Sequence, residues 1–237
     1  MKHRKYKFIK VIISLILVIL ILPYFIPRDF TDEIPEKPFD NSIFFSTKEG
    51  YQLHAQYFEA DHSIGKIVMI HGLGASSFSY RNNAPFFQSQ GYDVLVVDLP
   101  AFGYSSKDLS INHSQVNRAQ LLWQWMNSLD QISGDVRLWH LVGHSMGGST
   151  VLALANQAPD RVASINLIAP AIVNENPQIG WLLKSPLAEW LKIILKYQIL
   201  TESSFLSILE SASNQPVTED IVNGYLRPIN TKGTTHA

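Results

Sequence analysis

The spacing of apolar positions divides the chain into four stretches. Residues 11–26 read VIISLILVILILPYFI, an apolar run interrupted only by Ser14, Pro23 and Tyr24. Counted from Phe8 the run has 19 residues, enough at about 1.5 Å per residue to cross a hydrocarbon core of about 30 Å. Residues 27–41 carry Pro27, Pro35 and Pro38 among charges and read as a spacer. From residue 42 the pattern turns to strands. Ile43–Thr47 and Tyr51–Ala60 flank Lys48-Glu49-Gly50, which predicts a β-hairpin. The short apolar runs Lys66–Ile70, Asp93–Val97, Val136–Val142 and Ala163–Ile168 then alternate with helix-length stretches at Asn83–Gln90, Ser114–Asp130 and Gly148–Ala158. Strands apolar on both faces and separated by helices predict an α/β fold, a mostly parallel sheet with helices on both faces. Past Pro170 the segments Ile179–Leu200, Thr201–Ser213 and Thr218–Leu226 are helical in pattern, with little strand character. The expected organisation is an anchor over 1–26, a linker over 27–41, a core over 42–171 and a helical region over 172–237.

Charge gives the first stretch a direction. Lys2, Arg4, Lys5, Lys7 and Lys10 precede the apolar run, whereas Asp29, Asp32, Glu33 and Glu36 outnumber Arg28 and Lys37 beyond it. The positive-inside rule then puts the N-terminus in the cytoplasm and the rest of the chain outside it. A cleavable signal peptide is the rival, because Val11–Leu22 is short; bulky residues and prolines follow it in place of a small-x-small site, which favours an uncleaved single-pass anchor. The whole chain of 237 residues is 46% hydrophobic and 16% charged, an ordinary globular composition. A formal net charge of −1 offers no electrostatic case for nucleic acid. The absence of cysteine excludes disulfides and thiolate metal sites. No metal constellation, phosphate-cradling loop or dinucleotide fingerprint is present in the sequence, so no cofactor is expected.

In a parallel sheet, function gathers in the loops past the strands' C-terminal ends. The loop after Val142 reads Gly143-His144-Ser145-Met146-Gly147-Gly148 and leads into STVLALANQA, a small-residue helix. This strand–G-x-S-x-G–helix context is that of a nucleophile elbow, whose sharp turn requires neighbours without side chains at Gly143 and Gly147. Ser145 is the candidate nucleophile, and the helix N-terminus beside it favours developing negative charge. The loop after Ile70 begins His71-Gly72-Leu73-Gly74. Acyl transfer needs donors aimed at the oxyanion, and the candidates are the backbone N–H groups of Met146 and Leu73. Gly72 and Gly74 would let the backbone approach closely, His71 would support the turn, and the His144 side chain is expected beneath the loop.

Three motifs in this order, IVMIHGLGASSFSYR, YDVLVVDLPAFGYSS and LVGHSMGGS, resemble the α/β-hydrolase family of esterases, epoxide hydrolases, haloperoxidases and C–C hydrolases. The resemblance covers about residues 42–235. It implies Ser145 as nucleophile, Leu73 and Met146 as oxyanion donors, and a structural role for Asp98. A serine at that position argues against the epoxide-hydrolase and dehalogenase branches, which use an aspartate. The family order of serine, acid, histidine places the last two after the final strands, beyond a helical cap. The sequence predicts the cap over 172–237 but not those last two strands, so the chain is expected to be truncated. His3, His54, His62, His71, His113, His140 and His144 all precede Ser145, and only His236 follows at a distance; Glu175 is the one acid that suggests itself. His113 is expected to cap a helix start or face solvent.

Two main readings result. One is a serine hydrolase of small-molecule, ester-like and apolar substrates, acting through an acyl-enzyme at Ser145. The alternative is a non-catalytic, inactive or truncated membrane protein of the same fold. Perhydrolysis or C–C cleavage is a further possibility, because fold does not fix reaction. The segment Trp181, Leu182, Leu183, Leu187, Trp190, Leu191, Ile194 and Leu195 is expected to lay an apolar face over the site, with membrane contact as a second role.

Overall fold

The computed structural model describes residues 2–27, 29–108, 110–171, 185–213 and 216–235. A helix α1 (Lys2–Ile21) runs into a 3-10 turn over Leu22–Phe25. A six-stranded sheet follows, made of β1 (Ser42–Ser46), β2 (Gln52–Phe58), β3 (Gly65–Ile70), β4 (Tyr92–Val97), β5 (Trp139–His144) and β6 (Val162–Ile168) in the spatial order β1-β2-β4-β3-β5-β6. β2 pairs antiparallel with β1 and β4, while β4, β3, β5 and β6 are parallel. This is the expected hairpin joined to a parallel sheet. Helices α2 (Asn83–Ser89), α3 (Gln115–Ser133) and α4 (Met146–Gln157) connect the parallel strands.

β3 and β4 are apolar on both faces because both are covered. Val68, Ile70, Leu95, Val97 and Leu141 pack with Leu121, Leu122 and Met126 of α3 and Val151 and Leu154 of α4. Ile67, Met69, Val94 and Val96 pack on the other face with Tyr80 and Ala84. α3 starts at Ser114, whose hydroxyl accepts the Asn117 N–H, and ends at Gly134 with φ of 69°. β5 begins three residues later than the apolar pattern suggests. Val136 is 89% exposed, and next to it Arg137 bonds the Ser63 carbonyl at 2.6 Å and the Asp135 carboxylate at 2.7 Å. That bracket holds 135–138 as a lead-in loop.

β6 is the outer strand, and Ile165, Leu167 and Ile168 on it are exposed. Among the described residues three helices follow: α5 (Pro186–Ile194), continued by a π-helical turn over Leu195–Ile199, then α6 (Glu202–Ser213) and α7 (Glu219–Ile229). Residues 172–184 of the expected helical segment lie outside the described residues. The proline-bearing stretch read as a spacer is tied to the far end of the chain. Asp32 forms a bridge with Thr231, the Lys232 N–H donates to the Asp32 carbonyl at 2.8 Å, and the Gly233 N–H donates to Asp29 Oδ2 at 2.8 Å.

Candidate functional site

β5 ends at His144 and α4 begins at Met146, so a single residue makes the turn. That residue, Ser145, has φ of 49° and ψ of −119°, a conformation that costs a non-glycine residue about 1–3 kcal/mol and persists only when its surroundings hold it. They do. The Ser145 N–H donates to the Ile168 carbonyl at 3.0 Å, and the Ser145 carbonyl accepts from Gly148 N–H and Ala171 N–H, both at 2.9 Å. The glycines on either side are required by contact. A Cβ on Gly143 would lie 2.5 Å from the Gly147 carbonyl oxygen, and one on Gly147 would lie 2.3 Å from the Ile70 carbonyl oxygen. Those neighbours are backbone and cannot swing away. Gly147→Ala is therefore expected to destabilise the protein by about 1–3 kcal/mol or more, seen as a lower denaturant midpoint at unchanged slope.

The loop after β3 is organised by His71, which is fully buried. Leu99 N–H donates to His71 Nε2 at 3.1 Å, so that nitrogen carries no proton. The proton therefore sits on Nδ1 and is donated to the Gly72 carbonyl at 2.7 Å. The carbonyl of Gly72 and the N–H of Leu73 belong to one trans peptide and point in opposite directions. Holding the carbonyl against His71 thus turns the Leu73 N–H away from it, and among the described residues that N–H meets no acceptor. A Cβ on Gly72 would lie 2.9 Å from His144 Nδ1, so this glycine does serve close approach. Gly74 does not; nothing lies within 4 Å of its would-be Cβ, and its φ of 69° is the reason for glycine there.

Burial pushes the His71 imidazole below the ordinary histidine value of 6.5, with Asp98 and the Gly72 bond opposing only part of that effect. His113, half-buried and near Arg118, is displaced in the same direction. Both bind a proton more readily in the unfolded chain than in the folded one. Stability is therefore full above the unfolded value and falls as the pH drops below about 6.5, by up to about 1.4 kcal/mol per pH unit for buried His71 and by less for the half-exposed, solvent-screened His113. Melting temperatures measured between pH 8 and pH 5 are expected to fall across that window, and less so in His113→Asn.

Ser145 opens on a cavity of about 680 Å³. Gly72, Leu73, Tyr80, His144, Ser145 and Ile168 line it from the sheet side, and Phe205, Leu209 and Tyr225 from α6 and α7. The Tyr80 hydroxyl donates to the Ile70 carbonyl at 3.0 Å, and burial raises its pKa to about 12, so it is a wall and not an acid. His144 corrects the sequence expectation: its side chain is exposed and lines the cavity beside Ser145. It stands at the end of β5 next to β6, which among the described residues pairs with no further strand. His113 also differs, since Ser114 supplies the helix cap and His113 is half-buried.

His54, His71 and His140 are bonded within the sheet and its loops, His140 through its Nδ1 to Ser164 Oγ at 2.8 Å. Among the described residues, no histidine or carboxylate hydrogen-bonds Ser145 Oγ, and no three metal-binding side chains converge. Glu175 and His236 lie outside the described residues. One cluster has no local sequence signal. Asp98 is fully buried and accepts from His54 Nδ1–H at 2.7 Å, from Ser77 N–H at 2.5 Å and from Tyr104 N–H at 2.9 Å. His54 Nε2 in turn meets Ser42 Oγ at 2.9 Å. The aspartate therefore fastens the hairpin to the loops after β3 and β4, behind His71.

The sequence profile of the α/β hydrolase fold matches residues 66–194. The chain belongs to that family. It is similar to YugF of Bacillus subtilis, described as an uncharacterized hydrolase, with 28% identity over 177 residues that make up 73% of this chain and 62% of YugF. It spans less than half the length of the next curated relatives. A probable hydrolytic enzyme of Pseudomonas aeruginosa PAO1 shares the fold with a TM-score of 0.62 at 18% identity, over 89% of this chain and 66% of that one. The thioesterase domain from the curacin biosynthetic pathway does so with a TM-score of 0.59 at 20% identity, over 79% and 67%.

Proposed function

We propose that the protein is a serine hydrolase that cleaves a small ester-like substrate with an apolar acyl group. Ser145 Oγ attacks the carbonyl, the Leu73 and Met146 N–H groups receive the oxyanion, and water releases the acyl-enzyme. The observation that carries this reading is the backbone of Ser145, a strained non-glycine turn held open at a cavity mouth by three neighbouring backbone groups. Strain of that kind persists in a structure where a side chain has to be presented. The apolar wall of Phe205, Leu209, Tyr225 and Ile168 supports an apolar acyl group. The base and its acid belong after Ser145 in chain order and are expected on the outer side of β6, next to His144. His71 is a positioning residue in this scheme, through the Gly72–Leu73 peptide.

The surroundings of α1 support a membrane location. The window Tyr6–Phe25 is only 6% buried, so α1 is not the core helix of a soluble body. The reading is a single-pass anchor with a cytoplasmic N-terminus and the hydrolase body outside. The function is tested with p-nitrophenyl esters of increasing acyl length, assayed on protein isolated from its native source. Turnover that rises from acetate to medium-chain esters supports the proposal, and no turnover of any ester sinks it.

A further inference from the structure

The helix α5 is built inside out for a water-soluble surface. Leu187, Leu191 and Ile194 recur at helical spacing on one face and are 70%, 54% and 42% exposed. On the opposite face Glu189 is 6% exposed and Ile193 is 9% exposed. Glu189 is held there in an ion pair with Lys192 at 3.2 Å. A surface helix in water would turn the glutamate out and the leucines in. The exposed stripe is one that an apolar medium would cover.

The contacts of α5 say which medium. Trp190 Nε1–H donates to the Ile19 carbonyl at 2.9 Å, one of the last carbonyls of α1, which have no partner within their own helix. The Tyr197 hydroxyl donates to the Pro27 carbonyl at 2.6 Å, and Lys196 Nζ donates to the Asp29 carbonyl. Ile19 lies six residues inside Phe25, the end of the apolar window, which is about 9 Å along a helix axis. An interfacial amphipathic helix sinks its apolar face about 5–10 Å into the headgroup and acyl boundary. Tryptophan, tyrosine and lysine are also the residues that settle at that boundary. The exposed apolar surface of α5 is therefore continuous with that of α1, at a fixed depth.

We infer that α5 lies in the bilayer interface beside the exit of α1, with Leu187, Leu191 and Ile194 among the lipid chains. The occupant of this face is lipid, and the inference rests on the membrane reading of α1. α6 follows directly and contributes Phe205 and Leu209 to the wall over Ser145. The cavity is thereby set against the membrane surface, and the substrate class it meets there is an amphiphilic ester drawn from the lipid phase.

The chain has no cysteine, so single cysteines can be placed at Leu187, Leu191 and Ile194 and labelled with an environment-sensitive fluorophore. All three side chains are exposed, and these variants are expected to fold. The full chain is reconstituted into phosphatidylcholine and phosphatidylglycerol vesicles, with Ile12→Cys as the reporter of α1 and Gln120→Cys as the reporter of water. Acyl-chain nitroxide lipids are expected to quench the three α5 labels at least about threefold more than the Gln120 label, as an apolar face sunk in the interface requires. If the Ile12 label is quenched by lipid while the α5 labels respond to aqueous iodide, α5 is not in the membrane and the inference fails. Labels on α5 shielded from both quenchers would also overturn it, in favour of a second protein on that face. An Ile12 label in water would remove the membrane reading itself.

Discussion

Ser145→Ala is expected to reduce kcat for ester hydrolysis by about 10³- to 10⁶-fold while leaving the protein as stable as before. The size of the loss follows from the step removed. Without the hydroxyl no acyl-enzyme forms, and what survives is binding and oxyanion stabilisation, which in triad enzymes leaves roughly 10³- to 10⁴-fold over water. The neutrality for stability follows from the site. Ser145 is held through its backbone N–H and carbonyl, and alanine has the same Cβ and meets the same φ of 49°. Among the described residues its hydroxyl bonds nothing, so the change in unfolding free energy is expected within about 0.5 kcal/mol. Parallel ester assays and melts separate the two effects. Activity above about a tenth of the original in a normally folded variant would remove Ser145 from the reaction, since each tenfold in rate is about 1.4 kcal/mol of barrier.

Asp98→Ala is expected to do the opposite, costing stability first and activity as a consequence. The side chain is fully buried and satisfies three donors at once, His54 Nδ1–H, Ser77 N–H and Tyr104 N–H. Alanine leaves all three without an acceptor in a place water does not reach. Each buried donor left without an acceptor costs about 1–3 kcal/mol, and a loss of about 3–5 kcal/mol in all lowers the melting temperature of a domain of this size by roughly 6–20 °C. The exposed Asp61→Ala is the control and is expected to change nothing measurable. The same aspartate adds a pH dependence. Burial alone would raise its pKa, but His54, His71 and the Tyr104 N–H hold it below the ordinary value of 3.8. Its contribution is complete above that value and is lost as the pH falls through the lower folded one. In Asp98→Ala that acid limb disappears, and the histidine-driven fall below about pH 6.5 remains.

The parallel strands were legible because the core demands apolar residues on both faces of β3 and β4, a signal that survives in short windows. The elbow was legible because Gly143, Ser145 and Gly147 sit at fixed offsets between a strand and a helix, and the contacts of both glycines explain the spacing. What escaped lies in long-range packing. Asp98 and His54 are 44 positions apart in sequence, joined only because β2 pairs with β4. The start of β5 was misplaced because Val136 is apolar, although Arg137 and Asp135 bind it into a loop. The exposure of His144 depends on its place at the end of β5 beside the cavity, which no local pattern announces. The apolar face of α5 was legible as Leu187, Leu191 and Ile194 at helical spacing, but not its direction, which is set by contacts such as that between Trp190 and Ile19, 171 positions apart.

A reactive nucleophile at Ser145 would be trapped covalently by a fluorophosphonate probe. The protein isolated from its native source would be treated with the probe, digested and mapped by mass spectrometry. One phosphonate adduct is expected, on the peptide that carries Gly143-His144-Ser145-Met146-Gly147, and none in Ser145→Ala. A folded protein that hydrolyses esters yet carries no adduct on that peptide would contradict a nucleophile at Ser145.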